Sequence, residues 1–304
     1  MSQARPPFAL TALLVAGFAA GASAQLASDV HVVTLANRDC PPTSSCTSLL
    51  GASWYAGHPE VFRLVTSNFN PGGGFEGVYF PHPISYYYFP EGPYFTRFLG
   101  AEVEMPLGAA FNHLAVRGER SCVYYHQSTF DNVVGNVTYL DEPALNGHPE
   151  AFPLVQHYFR GIFRDVGIYY DTFRSRWGIF NEDLSAMSWD EFFTVYDNSC
   201  EIGLGFRGSI TCSAPVGETC GGSLTAIASG DPTARVLVTQ LWSGVYNPHP
   251  VGVFYDPIDE TWKVFNEDLA DMPVNARFNV AVIEVLLTDD FETGDFSAWS
   301  AVMP

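Results

Sequence analysis

The strongest constraint on this chain is an internal repeat. Residues 166–195 and 251–280 align without gaps at a constant offset of 85 positions, and 13 of the 30 aligned residues are identical. Both copies carry the triplet Asn-Glu-Asp, at 181–183 and 266–268, in the same aromatic surroundings. A period this long is typical of repeated small domains, or of large parts of one, rather than of short solenoid repeats.

A third, divergent copy lies nearer the N-terminus. Residues 77–112 align with 244–279 at an offset of 167 positions, which places the string GVYFPHP on GVYNPHP. The sequence therefore predicts three repeats and two terminal segments, with these bounds: a signal peptide at 1–24, a divergent repeat at 29–118, a second repeat at 119–199, a third repeat at 200–287 and a tail at 288–304.

Short segments rich in aromatic and β-branched residues fill each repeat. In the second repeat they read SCVYYHQST, VVGNVTYLD, AFPLVQHYF, VGIYYDTF, RWGIFNED and FFTVYD, with Gly, Pro, Asn and Asp between them. These are strand signals, and no long helical periodicity competes with them. The predicted fold is all-β, built of tandem small antiparallel β-sandwich or barrel units, one for each of the three repeats.

The N-terminal segment MSQARPPFALTALLVAGFAAGASAQ has the pattern of a secretory signal. It contains one basic residue, an apolar run and Ala-Ser-Ala before Gln25. The apolar run is too short to span a bilayer. We therefore expect an exported protein that is secreted or held at the cell surface, in the extracellular space or the periplasm.

The charge balance narrows the range of partners. The chain has 33 acidic residues against 14 basic ones, and nucleic acids and anionic lipid surfaces attract proteins through Lys and Arg. The composition excludes nucleic acid as a partner and predicts no membrane insertion. We expect a monomer whose partner, if it has one, is an extracellular glycan or protein.

Six cysteines follow the signal segment, which is an even number, as expected of disulfides in an oxidising compartment. The sequence leaves every connectivity open, and the close spacings favour one set of pairs. That set is Cys40 with Cys46, Cys212 with Cys220, and Cys122 with Cys200.

The third repeat contains GVYNPHPVGVFYD followed by WKVFNEDLADMPVNARFNV. This string resembles a repeat domain of unknown function found in secreted bacterial proteins. The tail DDFETGDFSAWS is similar to a short Phe-Glu-Ser-Gly-Asp-x-x-x-Trp sequence that ends many exported bacterial proteins. The resemblance implies an extracellular all-β module and supplies no catalytic residues.

The Asn-Glu-Asp triplet admits three interpretations: the polar turn after a strand, a calcium site, or carboxylates for acid/base catalysis. Strand alternation would bring Asn and Asp together and point Glu away, and calcium takes six to eight oxygen ligands. The first repeat aligns Leu99-Gly100-Ala101 with the triplet and Phe95 with its Trp, which favours the turn. No cofactor is expected, and calcium is the alternative. Its candidate ligands are Asp171, Asn181, Asp183, Asp256, Asn266 and Asp268. Asp171 and Asp256 also follow Tyr at a strand end, where an Asx turn uses a carboxylate.

Aromatic side chains are the remaining ligand candidates, because Tyr and Trp combine an apolar ring with a polar group. The candidates are Tyr170, Tyr255, Trp177 and Trp262. The alternative is that strand alternation places such residues in the core. The Met-Pro and Phe-Asn positions shared by the repeats, including Met272 and Phe278, predict core anchors of the final strand.

The nucleophile and metalloprotease motifs GxSxG, SxxK and HExxH do not occur in the chain. We therefore predict a secreted protein with an extracellular binding or structural role and without catalysis. The alternative is a secreted carbohydrate-active hydrolase, which needs only an Asp/Glu pair.

Overall fold

The structure of the protein is a computed structural model. It describes residues 25–39, 47–50, 61–88, 96–100, 104–117, 122–159, 163–197, 204–220 and 230–283. The predicted signal peptide and tail, with Cys40, Cys46 and Cys200, lie outside these residues. In the described part of the chain the regular structure is β-strand, which confirms the all-β prediction. That part contains no helix long and apolar enough to cross a membrane.

The strands follow the repeats. The first repeat contributes β1 (Gln25–Val32), β2 (Arg38–Asp39), β3 (Thr47–Leu50), β4 (Phe62–Asn68), β5 (Ile84–Tyr88), β6 (Thr96–Gly100) and β7 (Ala110–Arg117). The second contributes β8 (Val123–Gln127), β9 (Val133–Val134), β10 (Val137–Tyr139), β11 (Leu154–Tyr158), β12 (Val166–Asp171), β13 (Arg176–Asn181) and β14 (Phe192–Tyr196). The third contributes β15 (Leu204–Thr211), β16 (Arg235–Leu241), β17 (Val251–Asp256), β18 (Thr261–Asn266) and β19 (Arg277–Ile283).

These strands form three sheets, and each sheet combines two repeats. Sheet A has the order β1-β7-β4-β17-β18, sheet B the order β2-β3-β6-β5-β11-β14-β8, and sheet C the order β15-β19-β16-β12-β13-β10-β9. In each sheet, three antiparallel strands of one repeat are joined to a hairpin of another repeat by one parallel pair. In sheets B and C two further strands extend the sheet beyond that hairpin. The sheets are therefore mixed rather than purely antiparallel, because each hairpin leaves the sheet of its own repeat.

The hairpin exchange closes a ring. The hairpin of the first repeat joins the second repeat in sheet B, that of the second joins the third in sheet C, and that of the third joins the first in sheet A. No repeat completes a sheet from its own strands. The three repeats thus form one interlocked body around a pseudo-threefold axis.

Hydrogen bonds from side chains also link the three repeats at the axis, through one central strand of each repeat. Strands β4, β11 and β16 are equivalent by their pairing and touch one another. On each strand a backbone N–H donates to a side-chain oxygen of the next. The three bonds are Val65 N to Gln156 Oε1 at 3.1 Å, Val155 N to Thr239 Oγ1 at 3.0 Å and Val238 N to Thr66 Oγ1 at 3.0 Å. Each bond gives a partner to a backbone group that the sheets leave unpaired.

The apolar residues divide into a central core and three outer cores. The central core takes residues from every repeat, such as Phe62, Leu154 and Leu237. Each outer core lies between the strands of one repeat and the hairpin that this repeat contributes to a neighbouring sheet. In the third repeat, for example, Trp262 of the hairpin packs with Phe278. The predicted core anchors are confirmed, since all six are buried: Met105, Met187, Met272, Phe111, Phe193 and Phe278.

The hairpin register corrects the alignment of the first repeat by one residue. Gly100 pairs with Ile84, just as Asn266 pairs with Val251 at the equivalent position. Gly100, not Leu99, therefore stands where the third repeat has Asn266, and Thr96, not Phe95, stands where it has Trp262. The cause is one extra residue in the first hairpin, and the triplet is still missing from that repeat.

Candidate functional site

The two Asn residues of the triplets form the turns that follow β13 and β18. Asn181 and Asn266 are fully buried. The amide of Asn181 donates to the carbonyl of Ser185 at 3.0 Å, and the amide of Asn266 donates to that of Ala270 at 3.0 Å. Each bond stabilises the turn formed by the triplet and the Leu that follows it. This Leu has a left-handed backbone, with φ of 61° at Leu184 and 62° at Leu269.

The two Asp residues complete these turns from the outside. Asp183 accepts the N–H of Ser185 at 2.9 Å, and Asp268 accepts the N–H of Ala270 at 3.1 Å. Asp268 also pairs with His249 at 2.7 Å. The predicted alternation is not observed, because the strand ends at Asn and the turn then buries Glu and exposes Asp. These contacts favour the turn interpretation of the triplet.

The two Glu residues link neighbouring repeats. Glu182 Oε2 accepts the backbone N–H of Asn247 at 3.1 Å, and Glu267 Oε2 accepts that of Phe80 at 3.0 Å. Burial raises the pKa of Glu182 to about 8 and that of Glu267 to about 7. Both carboxyl groups therefore retain a proton under mildly acidic conditions.

The remaining calcium candidates lie at the opposite end of the hairpins. Asp171 accepts the N–H groups of Phe173 and Arg174, and Asp256 accepts those of Ile258 and Asp259, which confirms the Asx turns. Asp171 pairs with Arg174, and Asp256 with Lys263. Each hairpin thus separates its Asp from its Asn-Glu-Asp triplet by the length of one strand, β13 or β18. Within the described ranges, no three His, Cys, Asp or Glu side chains gather into a metal-binding group.

A polar cavity opens at the axis beside the triplets, and we call it the axial cavity. The ends of β4, β11 and β16 line it together with Arg164, Asp165, Pro250 and Glu267. Asp165 replaces the Pro that the other repeats have, and part of its surface reaches the cavity. Burial, with Asp268 and Asp183 nearby, raises the pKa of Asp165 to about 7.

The aromatic residues proposed as ligand contacts belong to the outer cores. Trp177 and Trp262 are 2% and 0% exposed, and Tyr255 is buried beside Trp262. The indole N–H of Trp177 donates to the carbonyl of His148, and that of Trp262 to the carbonyl of Asp231. Tyr170 is partly exposed and packs on Trp177. The two Trp rings are therefore not accessible to a ligand on the surface.

A different set of aromatic side chains faces outward from sheet C. We call it the Trp242 ridge, and it consists of Tyr169, Phe180, Trp242 and Tyr246. Trp242 is 39% and Tyr246 is 41% exposed, while Phe180 forms the floor. The ring centroids of Trp242 lie 5.9 Å from Tyr169 and 6.1 Å from Tyr246. The rings therefore form one continuous surface.

Hydrogen-bonding groups border the Trp242 ridge. The hydroxyl groups of Tyr139 and Tyr169 lie 2.7 Å apart, and the Tyr139 hydroxyl donates to Asp171 at 3.1 Å. The guanidinium of Arg174 lies 4.6 Å from the centroid of the Tyr139 ring. Apolar ring faces with a few fixed polar groups are typical of sites for small ligands.

Two depressions adjoin at the Trp242 ridge. One, of about 210 Å³, is lined by the four ridge residues with Asn136 and Val137. The other, of about 380 Å³, shares Tyr169 and Trp242 with the first and continues past Glu150 and Arg277. Two adjoining depressions that share Tyr169 and Trp242 suit an extended ligand better than a compact one.

Sequence reasoning missed Trp242, although a signal for it exists. The segments LVTSNF at 64–69, LVQHYF at 154–159 and LVTQLW at 237–242 each end in an aromatic residue. Each segment covers the last part of a central strand and the residue after it. The outward position of Trp242 depends on which hairpin pairs with the strand that precedes it.

Of the predicted disulfides, the structure shows Cys212 bonded to Cys220. Cys122 is also disulfide-bonded. The proposed partner Cys200 and the pair of Cys40 with Cys46 lie outside the described residues, so these pairings stay predictions.

Fold and surface together define a three-sheet β-repeat protein with an exposed aromatic ridge. The chain belongs to a family described as a domain of unknown function, DUF7452, whose model matches residues 98–197 and again residues 167–282. This confirms the resemblance to a repeat domain of unknown function. No curated protein and no solved structure matches the chain.

The two family matches overlap in residues 167–197, which contain the hairpin β12-β13 and the strand β14. The second match also contains β15, β16 and β19, the strands that this hairpin joins in sheet C. The family pattern therefore includes the hairpin of one repeat together with the repeat that receives it.

Proposed function

We propose that this protein is an exported, non-catalytic binding protein that holds a neutral polysaccharide on the Trp242 ridge. The observation that carries the proposal is the continuous exposed surface of Trp242, Tyr246 and Tyr169 with hydroxyl, amide and carboxylate groups at its border. The C–H face of a pyranose ring is apolar and stacks on aromatic rings, while its hydroxyl groups need hydrogen-bond partners.

Charge favours a neutral ligand. The net charge of the chain is −19, so an anionic polymer would be repelled over most of the surface. Asp171 and Glu150 beside the ridge add further negative charge, and Asp171 is already paired with Arg174. Sugar hydroxyl groups, in contrast, accept and donate hydrogen bonds with these side chains.

Export is supported by the disulfide between Cys212 and Cys220, since disulfides persist in oxidising compartments. The N-terminal signal pattern predicts the same location.

The absence of catalysis is supported by the roles of the buried acids. Glu267 lines the axial cavity with Asp165, as a hydrolase would require of a carboxyl pair. However, Glu267 holds the N–H of Phe80, and Glu182 makes the equivalent bond to Asn247. A bond that both repeats share favours a structural role for Glu267 over that of a partner to Asp165 in a catalytic pair.

The test is calorimetric titration of the mature protein with neutral hexasaccharides: cellohexaose, xylohexaose, mannohexaose and chitohexaose. We expect one of them to bind, and we expect Trp242→Ala to weaken its binding at least tenfold. Trp189→Ala is the matched control, because Trp189 is 64% exposed and packs on Phe130, and neither residue belongs to the ridge.

Equal binding by wild type and Trp242→Ala would overturn the site, and no binding of any hexasaccharide would overturn the proposed ligand class. Reducing ends are measured in the same samples over a day. An increase that Asp165→Asn abolishes would replace the binding proposal with hydrolysis.

A further inference from the structure

Each of the three sheets has an aromatic residue at the position of Trp242. Each central strand is followed by an aromatic residue whose backbone N–H extends the parallel pairing to the incoming hairpin. The three bonds are Phe69 N to Val253 O at 3.0 Å, Phe159 N to Tyr86 O at 2.8 Å and Trp242 N to Ile168 O at 2.8 Å. These bonds make the three aromatic residues equivalent about the axis.

The hairpin contributes a second aromatic residue at each junction. The residues that follow the three acceptors are Phe254, Tyr87 and Tyr169. The ring centroids of Tyr87 and Phe159 lie 5.9 Å apart, the same distance as those of Tyr169 and Trp242. In sheet A the equivalent rings, Phe69 and Phe254, meet through Phe265, whose centroid lies 6.1 Å from the first and 5.5 Å from the second.

Sheet A carries the most complete counterpart of the Trp242 ridge. We call it the Tyr79 patch, and it consists of Phe69, Tyr79, Phe254 and Phe265. Tyr79 is 41% exposed, as is Tyr246, its equivalent in the GVY-x-PHP string. The centroid of Phe69 lies 4.6 Å from Tyr79, and both lie about 6 Å from Phe265, which forms the floor.

We propose that the Tyr79 patch is a second site for the same neutral polysaccharide, so that one molecule holds two chains. This inference rests on the proposed function of the Trp242 ridge. The two sites lie on different sheets, A and C, which the pseudo-threefold axis relates, so each can hold its own chain. Joining two chains through one rigid protein gives cross-linking, and on a polymer surface it gives avidity.

The two sites differ in polar groups. Phe254 and Phe69 stand where the ridge has Tyr169 and Trp242, so the Tyr79 patch lacks one hydroxyl group and one indole N–H. It keeps the Tyr79 hydroxyl, and burial, with the charges of Glu218 and Glu267, raises the pKa of Tyr79. A neutral sugar is compatible with this acidic border, and we expect the Tyr79 patch to bind more weakly than the ridge.

The experiment combines stoichiometry with cross-linking. Wild type, Trp242→Ala, Tyr79→Ala, the double variant and Trp189→Ala are titrated with the four hexasaccharides named above. They are then mixed with soluble galactomannan, mixed-linkage glucan and arabinoxylan, and turbidity is followed. Wild type and Trp189→Ala should bind two hexasaccharides and cloud the polymer solution. Each single variant should bind one and leave it clear, and the double variant should bind none.

Failure of this inference is distinguishable from failure of the proposed function. If wild type binds one hexasaccharide and Trp242→Ala binds none, the ridge is a site and the Tyr79 patch is not. If Trp242→Ala still binds two, the proposed function itself is wrong. Thermal melting checks that each variant is folded. If Tyr79→Ala does not fold, Tyr79→Lys replaces it, because its charged side chain blocks the patch.

Discussion

Glu267 in the third repeat accepts a hydrogen bond from the backbone N–H of Phe80 in the first repeat, at 3.0 Å. Glu182 makes the equivalent bond from the second repeat to Asn247 in the third. The middle residue of each Asn-Glu-Asp triplet thus fastens one repeat to the next. The bond of Glu267 joins the last repeat to the first, which closes the ring that the hairpins form.

The first prediction concerns the protonation of this bond. The usual pKa of Glu is 4.5, and burial raises that of Glu267 to about 7 in the folded protein. Between these values the unfolded chain has lost a proton that the folded protein retains, so the free energy of unfolding decreases as the pH rises. The stabilising effect is complete below pH 4.5 and is lost above about pH 7.

Glu267→Gln keeps an oxygen for the N–H of Phe80 and removes the titration. From pH 5 to pH 8, we expect the free energy of unfolding of the variant to increase by about 1–3 kcal/mol relative to that of wild type. Urea unfolding at both pH values measures this change. Glu76→Gln is the control, because Glu76 is exposed. A difference between Glu267→Gln and wild type that is the same at both pH values would contradict the prediction.

The second prediction concerns the glycine that faces Glu267. A Cβ atom at Gly252 would lie 2.2 Å from Glu267 Oε1 and 2.9 Å from the Phe265 ring. Gly252→Ala should therefore destabilise the protein by about 1–3 kcal/mol, as overpacking does in a filled core, although Ala is otherwise less unfavourable than Gly inside a strand.

Gly74→Ala is the matched control, since the nearest atom to its Cβ would be 4.0 Å away. Thermal and urea unfolding of both variants give the comparison. If Gly252→Ala were as stable as Gly74→Ala, the carboxyl group of Glu267 would not occupy the position described.

Local features were predictable from the sequence, because they depend on residues close together in the chain. The Asx turns at Asp171 and Asp256 follow from a Tyr-Asp strand end. The core positions of Met272 and Phe278 follow from their retention in repeats that lose the acidic residues. The repeat itself identified the structural unit.

The exchange of hairpins was not predictable, because a hairpin has the same sequence whether it pairs with its own repeat or with a neighbour. The exposure of Trp242 depends on that choice, since its outward face is set by the parallel pair with β12. The burial of Glu182 depends on it too, because its partner Asn247 belongs to another repeat. The candidate site was therefore beyond a reading of strand alternation alone.

The third prediction concerns the ring of hydrogen bonds at the axis. Thr239 Oγ1 accepts the N–H of Val155 at 3.0 Å, and Thr239 is 5% exposed. Thr239→Val keeps the shape and leaves this N–H without a partner, which costs about 1–3 kcal/mol. Thr239→Ser keeps the hydroxyl group and serves as the control.

Urea unfolding should show one cooperative transition for both variants, with a lower midpoint for Thr239→Val. Because the three repeats share strands and axial bonds, we expect them to unfold together rather than one by one. Two separate transitions in wild type would contradict the interlocked arrangement, and equal midpoints for the Val and Ser variants would contradict the role of the hydroxyl group.

The fourth prediction compares the stability contributions of buried Trp262 and exposed Trp242. Trp262 is 0% exposed, packs on Tyr255 and donates its indole N–H to the carbonyl of Asp231 at 2.9 Å. Trp262→Ala should lower the free energy of unfolding by about 3–5 kcal/mol, as truncation of a buried aromatic residue does. Trp242→Ala should change it by less than about 1 kcal/mol, because surface substitutions have small effects. Fluorescence-detected urea unfolding measures both. If the two variants lost similar stability, Trp242 would be part of the core and the loss of sugar binding expected for Trp242→Ala would have a structural cause.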